Sequence, residues 1–181
     1  MKRTTSRVLF VLAALALAAC GGNSGTGTAA TNDPAATATS DPTDGIQRYV
    51  AGEDNNFADL QGDPTKSSSA YSYYATTLPL PGSANCLVYV YKTAEQHFLT
   101  CTFSANSLND ARTLFRDWVA NVKSAEPYWH SIEVSPLPQG DVTATLLADT
   151  REQHAIFLTV VKSGQQYRVT TTFGKMDELR G

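Results

Sequence analysis

One long segment of the chain carries apolar residues at helical spacing. Between Ser107 and Glu126 they recur at i, i+3, i+4 and i+7, and polar side chains fill the positions between them. Ser107 offers an N-cap oxygen, Asp110 follows three residues later as in a capping box, and Pro127 ends the pattern. We therefore predict an amphipathic helix over residues 107–126, with Trp118 as a core residue at the centre of its apolar stripe.

Shorter apolar runs on both sides of this helix have the alternation and the aromatic and β-branched content of strands. Before the helix they are SSSAYSYYATTLPL, CLVYVYK and HFLTCTF. After it they are YWHSIEV, DVTATLLAD, HAIFLTVVK and QQYRVTTTF, with Ser163-Gly164 as a turn between the last two. The order predicts a two-layer α+β fold, an antiparallel sheet of about five to seven strands with the long helix packed on one face.

The two ends of this predicted domain have weaker patterns. Ile46, Tyr49 and Val50 are spaced as in a helix, but the glycines and the EDNN segment nearby favour short helical turns only. The C-terminal residues GKMDELRG predict a frayed end.

Cys86 and Cys101 lie symmetrically about the polar connection TAEQ. If that connection closes a hairpin, pairing 86 with 101 also pairs 88 with 99 and 90 with 97. Directly opposed residues of an antiparallel pair bring their side chains close together, so we predict a cross-strand disulfide. Two free buried thiols are the alternative, and the spacing is not the C-x-x-C of a catalytic dithiol.

The first 44 residues differ in composition from the rest. Lys2, Arg3 and Arg7 precede the apolar run Leu9–Ala19, which is too short to span a bilayer as a helix and is typical of a signal peptide. Residues 21–44 contain no Leu, Ile, Val, Met or aromatic residue, which predicts a flexible tether. The predicted organisation is a signal peptide at 1–19, Cys20 and a tether at 20–44, and one α+β domain at 45–181.

Leu17-Ala18-Ala19-Cys20 resembles the lipobox of bacterial lipoproteins. The resemblance implies that Cys20 receives a diacylglyceryl group, becomes the first residue of the mature protein, and anchors it to a membrane of the cell envelope. Gly21 after Cys20 is similar to the pattern sent to the outer membrane in Gram-negative cells. An ordinary secretory signal is the alternative.

Charge narrows the range of partners. The chain has 14 Lys and Arg against 17 Asp and Glu, and residues 1–19 hold three of the basic residues and none of the acidic ones. The remainder is mildly acidic and lacks the basic stripe that is typical of nucleic-acid binding, so we expect no nucleic-acid partner.

A second resemblance covers residues 57–126. The words FADLQG, LPLPGSANC and LTCTF, followed by an amphipathic helix, are similar to an arrangement in small uncharacterised bacterial envelope proteins. This resemblance implies a disulfide-stapled α+β domain and no particular activity.

Tyrosines are the candidate binding residues. Alternation places Tyr71 and Tyr73 on one face of a strand, and Tyr89 and Tyr91 on one face of the neighbouring hairpin. Exposed tyrosines stack on sugar rings or dock a partner protein, because each adds amphipathic area at low entropic cost. The alternative is that they pack beneath the helix or across strands.

Catalytic motifs are absent from the sequence, among them G-x-S-x-G, H-E-x-x-H and G-x-G-x-x-G. His97, His130 and His154 fall on separate predicted strands, so we expect no metal site and no cofactor. The sequence predicts a non-enzymatic, lipid-anchored binding module for an envelope protein or a cell-wall glycan. An enzyme with an unrecognised site and a small inhibitor or immunity-type protein are the alternatives.

Overall fold

The computed structural model describes residues 41–134, 141–151 and 153–180. The predictions for the signal peptide, for Cys20 and for the tether up to residue 40 lie outside these residues. The helices are α1 (Pro42–Glu53), α2 (Leu108–Ala125) and α3 (Met176–Arg180), with a short 3₁₀ helix at Ala58–Leu60. The strands are β1 (Gln61–Ser67), β2 (Tyr71–Thr76), β3 (Asn85–Tyr91), β4 (Gln96–Ala105), β5 (His130–Ile132), β6 (Asp141–Ala148), β7 (His154–Ser163) and β8 (Gln166–Lys175).

The strands form one antiparallel sheet in the order β1-β2-β3-β4-β8-β7-β6-β5. The chain therefore runs twice through a helix and four antiparallel strands, and the last strands of the two halves pair at the centre. The α+β class is confirmed, but the sheet has eight strands and not the five to seven that the sequence predicts. The additional strand is β1, whose Gly62 and Pro64 are tolerated because it is an edge strand with an irregular register.

The β3–β4 register agrees with the prediction. Cys86 pairs with Cys101, residue 88 with residue 99, and residue 90 with residue 97. The Sγ atoms of Cys86 and Cys101 lie 2.01 Å apart, at disulfide distance, and both residues are buried. The cross-strand disulfide joins the two strands of this hairpin inside the core.

The long helix begins where its cap predicts, since the Ser107 side chain accepts a hydrogen bond of 3.1 Å from the Asp110 backbone N–H. The expectation of short turns near residue 46 is wrong, because α1 has 12 residues and begins at Pro42, within the predicted tether. Its N-cap is Asp41, whose carboxylate accepts from the Thr43 N–H at 2.8 Å. The prediction of a frayed C-terminus is also wrong, because Met176 in α3 is buried.

The main core joins α1 and α2 to one face of the sheet, which we call the helix-covered face. Trp118 of α2 packs on Phe103 of β4 with ring centroids 4.6 Å apart. Tyr49 of α1 meets Phe173 of β8 edge-on at 5.0 Å. The helical side of the core thus contains α1 as well as the long helix that the sequence predicts.

Candidate binding face

The four candidate tyrosines lie together on the sheet face opposite the main core. Tyr71 pairs with Tyr91 and Tyr73 with Tyr89 across the β2–β3 ladder, so all four side chains point to the same side. The Tyr71 and Tyr73 rings stack with centroids 4.7 Å apart, and the Tyr73 and Tyr89 rings lie at 4.5 Å. All four are partly exposed, and neither cluster of buried residues includes them. They pack across strands and not beneath the long helix.

The aromatic group continues from β3 onto β4, which the sequence analysis did not predict. Phe98 of β4 lies opposite Tyr89, and its ring is 6.0 Å from that of Tyr91. In the next row, Leu87 faces Thr100, and Thr100 faces Thr172 of β8.

Threonine hydroxyls occupy the same face of β4 and β8. Thr100 and Thr172 share a hydroxyl–hydroxyl hydrogen bond of 3.1 Å, and Thr102 lies opposite Thr170. Thr170 shares a hydroxyl–hydroxyl bond of 2.8 Å with Thr159 of β7. The sequence signal for this row was the pair of segments T-C-T at residues 100–102 and T-T-T at residues 170–172. It indicates a shared row of hydroxyls only when β4 is known to pair with β8.

We call this surface the tyrosine–threonine face and define it by ten residues on that side of β2, β3, β4 and β8. They are Tyr71, Tyr73, Leu87, Tyr89, Tyr91, Phe98, Thr100, Thr102, Thr170 and Thr172. None of them is acidic, basic or histidine. Arg168 of β8, opposite Ser104, is exposed on the same side of the sheet beyond Thr170 and borders these ten. At the β1 edge, Lys66 places Nζ 5.5 Å from the centre of the Tyr71 ring.

Two phenols of this face, those of Tyr89 and Tyr91, stay protonated at neutral pH. Burial, with a further contribution from Tyr73, raises the pKa of Tyr89 and of Tyr91 above its ordinary value. Each phenol can therefore both donate and accept a hydrogen bond. Chemically, the face offers apolar ring surface beside a row of neutral hydroxyls.

One end of the sheet is closed on this side by α3. Met176 and Leu179 pack with Leu146 and Ala155 in a second, smaller cluster of buried residues. Gly174 makes this approach possible, since a Cβ there would lie 3.0 Å from Phe98 Cδ1 and 3.5 Å from Leu179 Cγ. The tyrosine–threonine face therefore ends at α3 and extends from there towards β2.

A second polar group, which the sequence prediction also missed, lies at the end of α1. His154, which the sequence places on a predicted strand of its own, has Nδ1 2.8 Å from Oε2 of Glu53, whose side chain has no exposed surface. His154 Nε2 lies 3.7 Å from Asp54. A cavity of about 380 Å³ adjoins the histidine and is lined by Asp54, Gln153, His154, Lys175 and Asp177.

The described part of the chain contains neither a metal-binding cluster nor a membrane-spanning helix. No group of three or more His, Cys, Asp or Glu side chains within residues 41–134, 141–151 and 153–180 is arranged to hold a metal ion. In the same residues, no helix combines the length and the apolar character needed to cross a membrane.

Comparisons with family models, with curated protein sequences and with solved structures found no match to this chain. The account of its function therefore rests on its own residues and their geometry.

Proposed function

We propose that the protein is a lipid-anchored module of the cell envelope that binds a neutral glycan through its tyrosine–threonine face. The observation that carries the proposal is the composition of these ten positions on four strands, which are five aromatic residues, four threonines and Leu87, none of them charged. In this proposal α1 and α2 form the layer on the other side of the sheet, which leaves the tyrosine–threonine face to a partner.

The chemistry favours a glycan over other occupants. A sugar ring presents C–H groups that pack on an aromatic ring, and equatorial hydroxyls that exchange hydrogen bonds with neutral hydroxyls. Tyr73 and Tyr89 supply the ring surface, and Thr100 and Thr172 supply hydroxyls in the neighbouring row. A highly charged partner would find no complementary charge on the ten positions.

The place of action is proposed from the N-terminal residues. Cys20 after Leu17-Ala18-Ala19 is the attachment point for lipid, and the tether that precedes α1 carries the domain away from the membrane surface. In a Gram-negative cell, Gly21 favours the outer membrane. A tethered module of this kind can bind glycan within the reach of its tether.

The test is binding of the full-length chain to soluble oligomers of β-1,4-linked N-acetylglucosamine, measured by calorimetry. Tyr89→Ala should weaken binding at least tenfold, since aromatic residues at the centre of an interface contribute most to affinity. Tyr128→Ala is the matched control, because Tyr128 is 84% exposed and lies outside the face.

Three outcomes decide between the candidate partners. Equal loss in the Tyr89 and Tyr128 variants, or no binding of any neutral glycan, would overturn the proposal. Capture of an envelope protein in cells, lost with Tyr89→Ala while glycan binding is absent, would favour the protein partner or the inhibitor-type role.

One observation favours the enzyme as a second candidate, namely the Glu53–His154 pair beside a cavity. A histidine oriented through Nδ1 by a carboxylate can act as a general base through Nε2. The residues that line this cavity offer no hydroxyl or thiol nucleophile, so water would have to attack. Retention of hydrolytic activity towards a glycan oligomer by His154→Gln would eliminate this candidate.

A further inference from the structure

A polar contact joins the end of α1 to the start of β7. Glu53, in the last turn of α1, accepts or shares a proton with His154, the first residue of β7, across 2.8 Å. Three residues further on, Asn56 Oδ1 lies 3.5 Å from Nζ of Lys175, the last residue of β8. The helix end is thus joined to the ends of two strands through polar side chains.

The strand end that receives Glu53 is itself held by backbone contacts. The Asp149 N–H donates to the carbonyl of His154, and the Met176 N–H donates to the carbonyl of Gln153. The Asp149 carboxylate also accepts from the Gln153 N–H at 2.7 Å. His154 therefore lies at a strand end that these hydrogen bonds hold in place.

The surroundings disfavour a negative charge on Glu53. Its side chain is fully buried, its Oε1 has no hydrogen-bond partner among the described residues, and it lies at the C-terminal end of a helix, where the dipole is negative. Burial raises the pKa of Glu53 to about 10, and nearby carboxylates act in the same direction. The titratable groups that face the Glu53–His154 pair are Asp54, Glu126, Asp149, Lys175 and Glu178.

We propose that Glu53 and His154 form a proton-dependent latch that holds the end of α1 against β7 and opens when the pair loses its shared proton. With one proton the pair is neutral overall, whether the carboxyl or the imidazole carries it. Without that proton, a carboxylate with no access to water faces three further carboxylates, with Lys175 as the nearby cation. Opening moves the carboxylate into water.

The direction of the pH dependence follows from proton counting over the whole pair. In the open state, a solvated glutamate titrates near 4.3 and a solvated imidazole near 6.5, so above about pH 6.5 the open pair holds no proton. Burial of Glu53 raises its pKa and so favours retention of one proton by the closed pair well above that pH. Opening therefore releases one proton in that range and becomes about tenfold more favourable for each pH unit.

The test is hydrogen exchange of the α1 amides in the full-length chain at pH 7 and pH 9, corrected for the intrinsic rates. We expect protection in residues 46–53 of the natural chain to fall by up to about a hundredfold between the two values. Glu53→Gln supplies a permanent N–H donor to His154 Nδ1, so its protection should change less than about threefold. Asp44→Asn is the matched control on the exposed part of α1 and should behave as the natural chain does.

An equal fall in the Glu53→Gln variant, or constant protection in the natural chain, would overturn the latch. Should Glu53→Gln fail to fold, the natural chain alone decides the question by nuclear magnetic resonance. A titration midpoint above pH 8 in the Glu53 carboxyl ¹³C or the His154 ring ¹⁵N shifts supports the latch. Constant shifts for both groups between pH 7 and pH 10 would show that no proton is released there and would contradict it.

Discussion

The two faces of the sheet share one backbone and differ in almost every side chain. On the helix-covered face, Val88, Leu99, Val169 and Phe173 have no exposed surface. On the tyrosine–threonine face, the ten residues at alternate positions of the same strands are aromatic or threonine except Leu87, and they remain partly exposed. One face is apolar and closed by helices, and the other is neutral and amphipathic.

This difference indicates that solubility alone did not determine the second face. A sheet face that only meets water commonly carries charged side chains, which also discourage aggregation. Here β8 alternates Val169 and Phe173 with the uncharged Thr170 and Thr172, and the charge on this side of the strand is carried by Arg168 at its start. A neutral surface with aromatic rings, on the other side of the sheet from the main core, is better suited to contact with a neutral partner than to contact with water alone.

The largest expected difference between the faces concerns stability. Trp118→Ala removes the ring that packs on Phe103 under the long helix, and we expect the free energy of unfolding to fall by about 3–5 kcal/mol. Urea unfolding followed by circular dichroism measures this loss. A loss below about 1 kcal/mol would contradict the placement of Trp118 in the core.

The next largest effect concerns the disulfide of the helix-covered face. Replacing Cys86 and Cys101 together by Ala opens a cross-link with a sequence separation of 15, and should reduce the free energy of unfolding by about 3 kcal/mol. The loss is smaller if the hairpin persists in the unfolded chain. Adding reductant should destabilise the natural chain and leave the double variant unchanged, whereas equal sensitivity of the two chains would exclude the cross-link.

Substitution on the tyrosine–threonine face should change stability little and binding strongly, unlike the two core substitutions. Tyr73→Ala removes one ring from a cross-strand pair, and we expect a stability loss of about 1 kcal/mol or less. Its affinity for the N-acetylglucosamine oligomer should fall about tenfold or more. If unfolding and binding assays instead show a large stability loss and unchanged affinity, Tyr73 has a packing role.

The smallest expected effect is that of a single hydroxyl. Thr172→Val keeps the shape of the side chain and removes its hydrogen bond to Thr100, so stability should change by about 0.5 kcal/mol or less. Affinity for the oligomer should fall about two- to tenfold, the value of one hydrogen bond. Thr113→Val on the exposed part of α2 is the control. An equal affinity change in that variant would show that the threonine hydroxyls of the tyrosine–threonine face do not contribute to binding.

Side-chain alternation was enough to predict most of the sheet. The alternation of β8 and the symmetry of Cys86 and Cys101 specify strand faces and register directly, because the side-chain period of a strand is two residues. Side-chain alternation did not predict β1, because Gly62 and Pro64 break the pattern of a central strand. Edge position explains the exception, and edge position is a property of the assembled sheet.

The parts of the candidate sites that the sequence did not predict depend on contacts between segments that are distant in sequence. Glu53 and His154 are 101 residues apart, and no local pattern links them. The threonine row likewise requires that β4 pairs with β8, which follows from neither strand alone. The tyrosine group could be predicted because alternation alone places Tyr71 with Tyr73, and Tyr89 with Tyr91, on one face of their strands.

The central claim is that the tyrosine–threonine face is the working surface, and ligand mapping by nuclear magnetic resonance tests it most directly. The full-length chain, labelled in its tyrosine rings and threonine methyl groups, is titrated with the N-acetylglucosamine oligomer. The account predicts shifts at Tyr71, Tyr73, Tyr89 and Tyr91 and at the threonines of β4 and β8, with Tyr49 and Tyr128 unchanged. Shifts confined to Tyr128 or to the helices, or no shift at saturating oligomer, would contradict it.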